Sequence, residues 1–244
     1  MKMKYFIIIA LISILIVNII CCSNIPSVKL VENTENEIFE PEDKNVKVEN
    51  INGDIDVGEI KIINGESFKV EAKNVEKDKC KISIDNGNLN INYHRKNKGL
   101  NNNGKEQFII TIPEKSIFEN IDLDIGCGDV KNQVPLNAKN IFLDTGVGEI
   151  KLNNIKSEML TINTGTGDIE ISGDIINSIN ADTGVGEVVL SLDKPLNEYN
   201  VDLQTAIGEI KVGTEEYMSS YSKNNDSIKN NIKAATGVGD IKIK

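Results

Sequence analysis

The chain has no tryptophan and one histidine, and aromatic residues make up 5% of its 244 positions. Its one arginine, Arg95, stands beside that histidine, His94. Few aromatics alongside many Ile, Val, Asn and Gly suit thin, repetitive β-structure. His94 opens an Asn-rich stretch with Lys96 and Lys98 close by, and reads most simply as a solvated loop residue. No Gly-x-Ser-x-Gly elbow, zinc-ligand spacing or P-loop is present. A β-helix that cleaves polysaccharide needs basic residues gathered on one face, and one arginine does not supply them. The chain therefore reads as no enzyme, without catalytic residues or a cofactor; a carbohydrate-active β-helix enzyme is the minor alternative.

Basic residues are also scarce relative to acids, 27 against 37, for a net charge of −10. Nucleic-acid binders concentrate Lys and Arg, so this balance argues against such a partner. It argues equally against electrostatic docking on anionic lipid.

Long apolar runs are limited to one, Phe6–Val17, interrupted only by Ser13 and preceded by Lys2 and Lys4. Its length suits the core of a signal peptide and is short for a membrane-spanning helix. The run closes on Ile19-Ile20-Cys21-Cys22-Ser23, which resembles a bacterial lipoprotein signal with Cys22 as the lipid-attachment residue. Residues 1–22 are thus a lipoprotein signal, with an uncleaved N-terminal anchor or plain secretion as alternatives. Each places the remainder outside the cytoplasmic membrane. Cleavage before Cys22 would remove two lysines and no acid, taking the charge from −10 to −12. Residues 23–45 hold Pro26, Pro41 and six acids against two lysines, and read as an acidic, extended tether.

What the chain has in quantity is a repeat. Ile141–Leu152 reads apolar-x-apolar-x-Thr-Gly-x-Gly-acid-apolar-x-apolar. Echoes carry Gly126/Gly128, Gly165/Gly167, Gly184/Gly186 and Gly237/Gly239, and in one altered copy Ala206 precedes Gly208. Alternation of period two on both sides of the glycines predicts strand, sharp corner, strand. A unit this small cannot bury its apolar face alone, whereas stacked units share a core. The fold class expected is all-β, a parallel β-solenoid with an N-terminal β cap; a meander of hairpins is the alternative. Stacking in chain order would align Thr145, Thr164, Thr183, Thr205 and Thr236. It would also make a carboxylate column of Asp129, Glu149, Asp168, Glu187, Glu209 and Asp240.

Residues 46–244 form the domain, with 46–120 as the N-terminal β region and 121–244 as the repeats. Asp85-Asn86-Gly87-Asn88 between alternating strands predicts a hairpin. Glu215–Asn230 reads as an insertion in the last coil, with Tyr217 and Tyr221 as a candidate contact. The terminal strand, Ile241–Lys244, reads as an open edge guarded by Lys.

Gly-x-Gly-acid superficially resembles a calcium-binding repeat. That repeat recurs roughly every nine residues, whereas here the regular spacing is 19 to 22. Lysines at 151, 211 and 242 would partly neutralise the acids, so no metal site is expected, weak Ca²⁺ binding being the alternative. Cys80 and Cys127 read as two thiols, with a disulfide as the alternative.

The envelope signal, Asn52-Gly53-Asp54-Ile55, Ile110-Thr111-Ile112-Pro113 and the serial Thr-Gly-x-Gly-Asp/Glu units together resemble the bacterial putative-adhesin family over roughly Val46–Lys244. The resemblance implies a β-solenoid of unknown function at the cell surface or envelope, and supplies no catalytic residues. The partner expected is an envelope or surface polymer or protein met by a non-catalytic binding module. A sensor or accessory protein acting on a membrane partner is the alternative.

Overall fold

The computed structural model describes residues 34–41, 43, 46–95 and 106–244. Cys22 and the signal lie outside the described residues. The described chain is all-β apart from two single 3-10 turns, with 19 strands in one mixed, mostly parallel sheet.

Each repeat is a strand entering a corner and a strand leaving it, here called a rung. Entry strands pair in parallel and in register: Ile121, Ile141, Leu160 and Ile179 lie one above the next. Exit strands do likewise through Ile60, Val130, Ile150, Ile169 and Val188. These side chains are almost fully buried. Burying each contributes roughly 1.5–3 kcal/mol. The period-two pattern is thus converted into continuous apolar columns, with like residues about 4.8 Å apart.

The corner explains the glycines. Gly148 has φ of +157°, and a Cβ there would lie 1.9 Å from the carbonyl oxygen of Gly128 in the adjoining rung. Both the conformation and the contact demand glycine. At the first glycine the clash is milder, 2.5 Å for Gly146 against Gly126 O. Ala206 stands at that position in the outermost full rung.

A further copy of the repeat precedes those read from the sequence. Asp56-Val57-Gly58-Glu59-Ile60-Lys61-Ile62 turns a corner beside Gly126–Asn132, with Asp56 in place of the first glycine. The signal that could have revealed it is Val-Gly-Glu-Ile-Lys, which recurs at Val147–Lys151.

The stack does not follow chain order. The last rung, Asn230–Val238 with Ile241–Ile243, is inserted between the rung of Gly184 and that of Ala206. The other end has the same arrangement: Asn88–Tyr93 and Gln107–Pro113 lie outside Asn50–Val57 and Glu59–Gly65, which precede them in the chain. The strand expected to be an open edge, Ile241–Ile243, is paired on both sides. The insertion at Glu215–Asn230 supplies paired strands as well. Glu215–Tyr217 and Ser220–Lys223 pair antiparallel with the outermost rung and close that end. At the opposite end Cys80–Asp85 closes the entry side through the expected hairpin, with Asn86 and Gly87 at positive φ. Lys69–Glu76 and then Thr34–Phe39 close the exit side. The stretch read as an extended tether therefore contributes a paired strand at its C-terminal part. Antiparallel pairing is confined to these closing strands, which occupy hydrogen-bonding edges that would otherwise template association.

Candidate binding faces

Just past the corner the acids form the expected column, in an order that chain position does not reveal. In space it reads Glu59, Asp129, Glu149, Asp168, Glu187, Asp240, Glu209, since the rung of Asp240 lies inside that of Glu209. Asp and Glu alternate without exception. The short Asp side chain reaches the backbone of the next rung: Asp129 accepts the N–H of Glu149 at 2.9 Å, and Asp168 that of Glu187 at 2.8 Å. The longer Glu side chain reaches lysine. Lys61 meets Glu59 at 3.0 Å, and Lys131 lies 3.1 Å from Glu149 and 3.2 Å from Asp129. Lys242 pairs with Glu187. Burial alone would lower the Lys131 pKa, but the Glu149 and Asp129 carboxylates outweigh it and raise it. The hydrogen bond that Lys242 donates to Glu187 likewise raises the Lys242 pKa. The exit side is thus a zipped face whose acids are partly neutralised by lysine. Among the described residues no group of three or more His, Cys, Asp or Glu is arranged to hold a metal ion.

The threonine row faces inward. Thr183, Thr205 and Thr236 are buried and donate to the carbonyl oxygens of Gly167, Gly239 and Gly186 at 2.9–3.0 Å. It ties rungs together and is not offered to a partner.

The entry side presents amides and carboxylates outward. Asn140 donates to Asn120, Asn120 to Asn50, and Asn50 to Asn88, at 2.8–2.9 Å. Beside this ladder Asp54, Asp124 and Asp144 occupy one register row, with Asp122 two residues before Asp124. None of these four forms an ion pair with lysine among the described residues; His94 lies 3.4 Å from Asp54 and 3.5 Å from Asp56. Burial, then the charges of Asp144, Asp54 and Asp122, hold the Asp124 carboxyl above its ordinary value. The two sides therefore differ: lysines partly neutralise the exit column, whereas these four entry-side acids have no lysine partner among the described residues.

The remaining singled-out residues fall as follows. His94 is half exposed at the end of the outermost entry strand, and Arg95 lies 3.6 Å from the fully buried Glu106. Cys80 and Cys127 are half buried and form no disulfide with each other, and burial followed by the Glu37 charge pushes the Cys80 thiol up to about 11. Tyr217 and Tyr221 meet with ring centroids 4.8 Å apart and planes tilted by 51°, and pack, half buried, against the end of the core. They serve as a lid on that core, which limits what they can offer a ligand.

No functionally curated protein matches the chain. The crystal structure of a putative cell adhesion protein from Clostridium sporogenes superposes with a TM-score of 0.55 at 21% identity, over 87% of this chain and 99% of that one. A putative adhesin from Bacteroides fragilis gives 0.52 at 15% identity, over 90% of this chain and 99% of that one. At such identities the likeness is one of fold. The Toastrack DUF4097 family matches residues 48–174, more than half of the chain, and the chain belongs to that family.

Proposed function

We propose that this domain is a parallel β-solenoid, held outside the cytoplasmic membrane by an N-terminal anchor, that acts as a non-catalytic surface binding module. The observation that carries the reading is the entry face. Outward Asn and Asp recur there from rung to rung at about 4.8 Å, and Asp54, Asp122, Asp124 and Asp144 have no lysine partner among the described residues, whereas Glu59, Glu149 and Glu187 of the exit face do. A regular array suits a polymeric partner, because many weak contacts multiply into avidity. The two similar structures described as a putative cell adhesion protein and a putative adhesin agree with this reading. Lipid attachment at Cys22 and the linking residues after it would hold the face clear of the membrane.

The accessory or sensor reading draws on one feature. Thr34–Phe39 couples the segment nearest the anchor to the edge of the domain, so strain on that segment reaches the sheet directly. The two readings separate by partner. Full-length protein in detergent is tested against cell-wall fractions, host matrix proteins and solubilised membrane proteins. Saturable binding to wall or matrix supports the surface module. Capture of one membrane protein alone supports the accessory reading, and glycan cleavage that is lost on mutating face residues defeats both.

A further inference from the structure

In the entry-side row nearest the corner, Asp182, Ala235 and Gln204 follow one another on adjacent rungs. The small side chain of Ala235 opens a gap between two larger polar neighbours. Ser219 and Ser220, from the closing segment, complete the rim, and Ala206 and Gly237 lie at the corner side. The result is a notch of about 380 Å³, open to solvent, with no lysine or arginine in its lining.

The notch is walled by acceptors. Asp182 Oδ2 accepts from Asn180 Nδ2 at 3.2 Å, whereas Oδ1 is covered and receives no hydrogen bond among the described residues. The carboxylate thus sets its charge in the notch wall, and the lining supplies no cation to balance it. Gln204 commits its Nε2 to Asp202, which leaves its carbonyl oxygen for a ligand. The serine hydroxyls accept as readily as they donate. A compact cation with several donors satisfies such a wall, and a primary ammonium carries three. Farther along the same face Asp54, Asp122, Asp124 and Asp144 add charge of the complementary sign.

We propose that the notch seats the primary ammonium of an amino-sugar polymer with free amines, laid along the entry face. The proposal rests on the surface-module reading and names its ligand class. A glycan is preferred to a lysine-rich peptide on two grounds. Its hydroxyls can use the Asn amides beside the carboxylates, and its amines sit on rigid rings, whereas lysine amines lie on long stems whose ordering costs entropy.

The test uses full-length protein in detergent and three labelled probes: a glucosamine hexamer, an N-acetylglucosamine hexamer and a lysine hexamer. Fluorescence polarisation near pH 6 keeps the amines charged. Saturable binding of the glucosamine hexamer is expected, weakening with salt, with at least tenfold weaker binding of the other two. Ala235→Gln fills the notch with the side chain already present at Gln204, and Asp182→Asn removes its charge without changing its shape. Each is expected to weaken binding at least tenfold with the melting temperature unchanged; if Ala235→Gln disturbs the fold, Asp182→Asn carries the test. Equal binding of either control hexamer, or undiminished binding in folded variants, overturns the proposal. Binding to wall fractions that survives both substitutions also rejects the notch but leaves the surface module standing. Amine binding through the notch, with no binding to wall or matrix, rejects the surface module instead.

Discussion

Asp240 Oδ1 accepts the backbone N–H of Glu209 at 2.9 Å, although Asp240 lies 31 residues further along the chain. The bond fastens the inserted last rung to the outermost one. It also completes the alternation of Asp and Glu down the column. Asp240→Ala removes the acceptor of that solvent-accessible N–H and should destabilise the domain by about 0.5–1.5 kcal/mol. Asp240→Asn keeps an oxygen in place and should cost less. Equal losses for both in denaturant titration would mean that the charge matters and the hydrogen bond does not.

Gly148→Ala should be among the most damaging single changes in the domain, at more than about 4 kcal/mol. Its Cβ would need to occupy the space of the Gly128 carbonyl, 1.9 Å away, from a positive φ. Ala206→Gly, at the outermost corner, should change stability by less than about 1 kcal/mol. Thermal melting of the two variants gives the comparison, and similar behaviour would refute the account of the corner.

The closing strands make a separate prediction. Tyr221→Ala uncovers the end of the core and should cost about 1.5–2.5 kcal/mol, roughly half the cost for a fully buried aromatic. It should also increase self-association, since the outermost strands lose part of their cover. Light scattering against concentration checks the second effect.

Asp124 gives a pH prediction whose sign follows from its raised pKa. A carboxyl with a raised folded-state pKa binds its proton more tightly in the folded protein. Its contribution to stability is present below the unfolded value and lost as pH rises through the folded one. At neutral pH the charged form is therefore a small liability. Asp124→Asn should stabilise slightly at pH 7, within about 0.5 kcal/mol because the site is exposed, and make no difference near pH 3. A larger gain at pH 3 than at pH 7 would contradict the crowding of like charges.

Cys22→Ala should abolish fatty-acid labelling and shift the protein out of the detergent phase. Labelling equal to wild type would reject Cys22 as the lipid-attachment residue. A mature mass that still includes Met1 would instead indicate an uncleaved anchor.

Much of this molecule is decided locally and is readable from its residues alone. Period two marks the strands, glycine pairs mark corners that no Cβ can enter, and Asp-Asn-Gly-Asn marks the hairpin. The inward columns follow, because any parallel in-register stack of these units buries the same positions. The order of the rungs could not follow in the same way. Each rung offers its neighbours nearly the same apolar columns and the same corner, so local sequence does not distinguish placing the rung of Gly237 outside that of Ala206 from placing it inside. That choice depends on long-range closure: Glu215–Lys223 must fold back over the outermost rung before the chain returns to fill the place beneath it. Only with that order does the Asp/Glu column alternate, Ile241–Ile243 cease to be an edge, and Ala235 come to lie between Asp182 and Gln204 to open the notch. The residues determined what each rung is; the tertiary structure decided which rungs touch, because equivalent repeats carry little information about their own neighbours.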